Sequence, residues 1–167
     1  MRLRPYNSQY DFDAIKDWIG DERTHAMWCG NRIPFPMERE SFDRVLCEHF
    51  EKYGDCPFVA SDDSGKVMGF FCYCTDSKTD IGFLRFVMVD PLIRGKGIGR
   101  EMILLAVRYA FDIAKAQAVQ LCVFPENEKA KRCYLGAGFR EISTTPNAFE
   151  FGEEKWGRCL MQIDREV

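Results

Sequence analysis

The sequence predicts a single α/β domain built on a mixed sheet, and three observations point there. Hydrophobic periodicity switches between about 3.6 and 2 residues along the chain, in the order strand, two helices, three strands, helix, strand, helix and two strands. A glycine-rich turn joins the most apolar strand to a long amphipathic helix. No linker, repeat or low-complexity tract divides the 167 residues, a length within the roughly 100–200 residues of one domain, so residues 1–167 read as one unit.

Met1–Pro5 reads as a short strand. Asp13–Gly20 follows as a helix, with Ala14, Ile15, Trp18 and Ile19 on its apolar side and Gly20 as its stop. Asp21–Pro36 mixes charges, aromatics, Gly30 and two prolines and is expected to be irregular. Met37–Tyr53 returns to helical spacing through Phe42, Val45, Leu46 and Phe50. The period then drops to two. Phe58–Ser61 and Val67–Cys74 form a hairpin across Asp62-Asp63-Ser64-Gly65, and Ile81–Val89 is a third strand ended by Asp90-Pro91. Gly97–Lys115 is a helix with Ile98, Met102, Leu105, Tyr109 and Ile113 along one stripe. A strand (Ala118–Val123), a helix (Glu128–Gly136) and two strands (Phe139–Ser143, Lys155–Ile163) complete a set of about six or seven strands flanked by four helices.

Composition narrows the function. A net charge of -3 and a pI near 5.5 do not suit a nucleic-acid or membrane-surface binder. The first residues lack the apolar core of a secretory signal, and no run approaches the roughly 18 apolar residues of a spanning helix. A cytoplasmic location is therefore expected. None of the eight cysteines forms a C-x-x-C pair, so they are expected to be free thiols acting as small hydrophobes, with no metal. His49, among charged residues on a helix, is expected at the surface.

The chemistry concentrates after Val89. Gly95, Gly97 and Gly99 alternate at the start of a long helix, among Arg94, Lys96 and Arg100. Glycines let the backbone approach a ligand, and a helix N-terminus offers unpaired N–H groups and positive potential. This is an anion site. It lacks the G-x-x-x-x-G-K-[ST] of a P-loop, and G-x-G-x-G late in the chain is not the G-x-G-x-x-G of a first βαβ unit, which argues against a dinucleotide-dependent oxidoreductase. Lys129, Lys131 and Arg132 at the next helix start add to the local cation cluster, which matches a phosphate-rich small molecule rather than a polymer.

Arg94 to Gly99, after a strand ending Val89-Asp90-Pro91, resembles the Q/R-x-x-G-x-G/A signature of the GNAT superfamily of acyl-CoA N-acyltransferases. Leu121–Tyr134, followed by Gly138-Phe139, resembles its second motif. The N-terminal half and Glu154-Lys155-Trp156 look most like the branch that acetylates protein N-termini, ribosomal proteins among them. The resemblance covers essentially the whole chain. It implies a twisted, mostly antiparallel sheet that splays in the middle at a bulge in Ile81–Val89. It also implies an acetyl-CoA-dependent N-acetyltransferase, monomeric or homodimeric, acting on a small-molecule amine or a protein N-terminus. Pantetheine would pair with the main chain at Val87, Met88 and Val89, where an N–H polarises the thioester carbonyl. The pyrophosphate would lie on the backbone of Gly95, Lys96, Gly97, Ile98, Gly99 and Arg100, beside Arg94 and Lys129. Asn127 would hold pantetheine, and Tyr134, seven residues on and nearly on the same helical face, would protonate the leaving thiolate. With a thiol near pKa 8.5 and a phenol near 10, that transfer is chemically reasonable.

The pattern departs at the base. Family members often carry a glutamate where this chain has Cys122 or Phe83. His25 offers a base near neutral pH, and Asp21 or Glu22 an attraction for a cationic amine; all three lie in the segment that the family uses as an acceptor wall, where a solvated loop is the simpler expectation. The missing carboxylates motivate an alternative, a non-catalytic acyl-CoA-binding or regulatory module. The two acceptor segments, Asp21–Pro36 and Pro146–Glu154, are acidic and aromatic, which mildly favours a cationic or amphipathic amine.

Overall fold

Seven strands and five α-helices alternate in the computed structural model, which describes residues 1–165. They are β1 Arg2–Pro5, α1 Ser8–Ile15, α2 Glu22–Cys29, α3 Arg39–Tyr53, β2 Cys56–Ser61, β3 Val67–Asp76, β4 Ile81–Val89, α4 Ile98–Asp112, β5 Ala118–Val123, α5 Glu128–Gly136, β6 Arg140–Phe151 and β7 Glu154–Asp164. The strands form one sheet in the order β1-β2-β3-β4-β5-β7-β6. Every pairing is antiparallel except β4 with β5. This is the α/β architecture expected, with one helix more than the four predicted.

That helix is α2, in the segment read as irregular. The Asp21 side chain accepts the Thr24 N–H at 2.8 Å, capping the N-terminus, and Gly30 closes the C-terminus in the left-handed region at φ 58°. Its buried face is His25, Ala26 and Cys29, too short and too polar to read as a stripe. The first helix also starts five residues earlier than expected, because Asn7 caps it by accepting from the Gln9 N–H. Strand β6 runs on through Pro146 to Phe151. As the sheet's edge strand it tolerates a proline, and it has no buried face whose alternation could be read.

Two cores lie on opposite faces of the sheet. Leu84, Met102, Ile103, Val119, Leu121 and Met161 pack under α4 and α5. Phe12, Ile15, Phe42, Phe70, Phe86 and Met88 pack under the first three helices. In a regular strand residues 84, 86 and 88 would share a face. Here Phe70 pairs with Met88 and Cys72 with Arg85, so Phe71 alone faces both Phe86 and Val87. Phe86 at φ 52° forms the resulting bulge, which switches the inward residue from one core to the other.

Strand packing tolerates no side chain at Gly82, where a Cβ would stand 2.7 Å from Tyr73 Oη and 2.8 Å from its Cε2. Gly82→Ala should cost about 1–3 kcal/mol by overpacking. A denaturant midpoint measured beside Gly20→Ala, whose Cβ meets nothing within 4 Å, checks this. All eight cysteines are free, and Cys29, Cys72, Cys74 and Cys159 are buried as small apolar groups. Among the described residues no helix is long and apolar enough to cross a membrane, and no cluster of His, Cys, Asp and Glu could hold a metal.

Candidate active-site cleft

Pairing between β4 and β5 stops at Leu84 and Leu121, yet the strands continue to Val89 and Val123. The bulge turns β4 away from its neighbour and leaves main-chain groups of its second half without a strand partner on that side. A cleft of about 950 Å³ opens there. Its walls include Val87, Met88 and Val89 of β4, the turn residues Arg94, Gly95, Gly97, Gly99 and Arg100, and Asn127, Lys129 and Tyr134. Lys96 and Ile98 do not line it; Lys96 is exposed and Ile98 half-buried. Side chains in a helical first turn radiate about 100° apart, so neighbours in this turn cannot all face one cleft.

The turn is shaped by glycine. Gly95 and Gly97 sit at φ 79° and 80°, and Gly97 is the N-cap of α4 with no side chain to cap it. The N–H groups of the first α4 turn are thus left for a ligand, at the positive end of the helix. Arg94 folds back, its Nε donating to the Val89 carbonyl at 3.1 Å.

Across the cleft, Asn127 is the N-cap of α5 and accepts the Ala130 N–H through Oδ1 at 3.2 Å. That leaves its amide NH₂ as a donor. Tyr134 lines the cleft while only 7% exposed. Burial, and secondarily the neighbouring Cys133, push its phenol well above the ordinary range, so it stays protonated at neutral pH.

The other wall comes from Thr24, Met27 and Trp28 of α2 with Arg85, Phe86 and Cys122. Arg85 is held from behind. Its Nη1 donates to Asp55 Oδ1 at 2.5 Å, and Asp55 Oδ2 meets His49 Nδ1 at 2.9 Å. The guanidinium lies 4.3 Å over the Phe83 ring and 4.7 Å over Tyr53. His49 is therefore a buried residue of this network, not the surface residue expected. No local spacing links positions 49, 55 and 85; the fold alone unites them.

The residues considered for the base and for attracting the amine are placed elsewhere. His25 is 2% exposed, packed edge-on against Trp28 and tilted against Phe35, with its Nδ1 3.6 Å from Cys29 Sγ. Burial lowers its pKa, and it does not line the cleft. Asp21 caps α2, and Glu22 is also outside the cleft. The carboxylates that do line it are Glu126, whose Oε1 accepts the Gly157 N–H at 3.3 Å, and Glu128 at the start of α5. Cys122 lines the cleft as an exposed residue rather than packing as core. The residue is exposed as a whole, but its thiol is desolvated against the cleft wall, which raises the pKa and disfavours a thiolate nucleophile.

Residues 12–139 match the family described as Acetyltransferase (GNAT) family. An uncharacterized N-acetyltransferase of Methanocaldococcus jannaschii is 29% identical over 159 residues, covering 92% of this chain and 87% of that protein. Among solved structures, spermidine N-acetyltransferase from Vibrio cholerae in complex with CoA and spermine superposes with a TM-score of 0.80 at 21% identity, covering 98% of this chain and 94% of the other. Ribosomal-protein-alanine N-acetyltransferase from Brucella melitensis gives 0.76 at 20% identity, covering 99% and 100%.

Proposed function

The chain belongs to the acetyltransferase (GNAT) family, and on that premise we propose that its cleft binds acetyl-CoA and acetylates an amine by direct attack, with Tyr134 protonating the leaving thiolate. The observation that carries this reading is the unpaired second half of β4, set beside a glycine turn and facing a buried tyrosine. These residues fit the co-substrate. The first-turn amides of α4 suit a pyrophosphate, with Arg94, Arg100 and Lys129 adding charge. The free edge at Val87–Val89 offers the hydrogen bonds that an extended amide-bearing chain needs, and Asn127 donates from the opposite side. When bound, acetyl-CoA supplies the activated acetyl group. A main-chain N–H of the β4 edge polarises the carbonyl under attack. Tyr134 then gives its proton to the departing sulfur.

An α-amino group, with a pKa near 7.7–8.0, needs less help to become neutral than a lysine near 10.4. That accounts for a cleft with no carboxylate at Cys122 or Phe83, the positions that also favour the second reading, an acyl-CoA-binding module without catalysis. Release of thiol from acetyl-CoA over a panel of amines and peptides separates the two.

Binding itself is checked at the turn. At Gly97 a Cβ meets nothing within 4 Å, but φ is 80°. A β-branched residue resists that conformation at a cost of roughly 1–2 kcal/mol or more, so Gly97→Val must reorient the amides. Acetyl-CoA affinity measured by calorimetry should fall about 10-fold or more, the equivalent of about 1.4 kcal/mol, with the fold retained. No acetyl-CoA binding by the unaltered protein would reject the proposal outright.

A further inference from the structure

The acceptor wall carries a positive charge that the acidic composition hides. Strands β5 and β7 pair with Cys122 opposite Leu160, so Arg158, two residues from Leu160, projects from the same face of the sheet as Cys122. Arg85 lines the cleft beside Cys122. Arg32 reaches the same place from the end of α2. Its Nη1 lies 3.0 Å from the point where a Cβ on Gly30 would stand, and the Phe124 and Phe149 rings lie 3.8 and 3.9 Å from that point. Arg32 and Arg158 stand outside the cleft lining itself, and with Arg85 they counter the burial that raises the Cys122 thiol's pKa.

Of the acidic residues that suggested a cationic amine, Glu22 and Glu153 lie outside the cleft and Glu150 pairs with Lys155. Glu154 pairs with Arg23 and accepts from Trp156 Nε1. Asp21 caps α2, and Asp55 is shared between Arg85 and His49. Of the two carboxylates that line the cleft, Glu128 meets Arg132, and Glu126 accepts from the Gly157 N–H, one residue from Arg158. Against them stand Arg32 and Arg158, neither with a carboxylate partner among the described residues. The bonds of Arg85 to Asp55 and Cys74 both use Nη1, which leaves Nε and Nη2 available.

Resting on the N-acetyltransferase reading, we propose that Arg32, Arg85 and Arg158 form a carboxylate-reading wall, so that the amine acetylated here carries a negative charge close to its nitrogen. A planar guanidinium matches a carboxylate through two parallel hydrogen bonds. A polyamine would bring like charges against the same wall. The wall also does part of the missing base's work, because neighbouring cations disfavour an ammonium and favour the neutral amine that can attack.

Initial rates of thiol release test this with matched pairs. Alanine against alaninamide asks for an α-carboxylate, and the amidated dipeptide Glu-Ala against Gln-Ala asks for an acidic side chain on a peptide N-terminus. Spermidine is the opposing probe. One carboxylate member should exceed its neutral partner about 10-fold in kcat/KM, and its identity tells a free amino acid from a peptide. Arg158→Glu should move the preference toward spermidine, a gain that a merely structural role would not produce, with acetyl-CoA affinity by calorimetry reporting that the fold is intact. A preference of the unaltered protein for spermidine, or equal rates within both pairs, overturns the proposal. If no amine is turned over, the N-acetyltransferase reading fails instead. Calorimetry of N-acetylglutamate against N-acetylspermidine on the CoA-loaded protein then decides the wall: tighter binding of the anion sustains it, and equal or reversed affinity overturns it.

Discussion

Replacing Tyr134 with phenylalanine should lower kcat about 10²–10⁴-fold, the usual worth of a positioned general acid, while acetyl-CoA affinity stays within about twofold, under 0.5 kcal/mol. The substitution removes one oxygen and keeps the ring, whose centroid sits 6.1 Å from that of Phe139 in the core under α4 and α5. The phenol has no hydrogen-bond partner among the described residues, so its loss strands no buried group. Stability should therefore hold and isolate the chemistry. The buried phenol is pushed above its ordinary range, which by itself makes it a poor acid for a thiolate near pKa 8.5 in water. Both anions, however, lose solvation in the same cleft, so the raised phenol faces a thiolate that is also more basic. The protonated phenol persists through neutral and mildly alkaline pH, so the rise of rate with pH should follow the amine and not Tyr134. A loss of under about threefold in kcat would remove Tyr134 from the proton transfer. A loss that takes acetyl-CoA binding with it would make Tyr134 a packing residue.

What the sequence made legible divides along the range of the signals. The path from β4 through the glycine turn into α4, and from β5 into α5, is written in local terms: strand period, glycine alternation, helix stripe. Those stretches coincide with the cleft walls. Helix α2 had its caps in view, Asp21 three residues before Thr24 and then Gly30, but its buried face includes a histidine and a cysteine, so no stripe announced it. The extension of β6 is an exposed edge, where periodicity carries no information. Charge misled for a different reason. Composition sums carboxylates that the fold spends on caps and ion pairs, while Arg32, Arg85 and Arg158 come from three separate stretches of chain to the same side of the sheet as Cys122.

Asp55→Ala should cost about 3–5 kcal/mol, because it orphans a largely buried charge, and should lower Tm by roughly 10 °C for a chain of this size. The carboxylate is 1% exposed and serves two partners, the Arg85 Nη1 and the His49 Nδ1. Without it the Arg85 guanidinium keeps only the ring faces of Phe83 and Tyr53 and the Cys74 sulfur at 3.2 Å, a weak return for its lost hydration. If the uncompensated charge is the source of the cost, removing the charge as well must recover part of it. The double variant Asp55→Ala/Arg85→Leu should then be more stable than the sum of its single variants by about 2 kcal/mol in denaturant melts. Strict additivity would mean instead that Asp55 contributes through packing at the junction of α3 and β2. The cycle bears on the site as well. Asp55 occupies Nη1 and fixes the guanidinium of this cleft-lining arginine, so an arginine freed from Asp55 would keep its charge and lose its position. Among the Asp55→Ala molecules that remain folded, KM for the preferred acceptor should rise while acetyl-CoA affinity does not change.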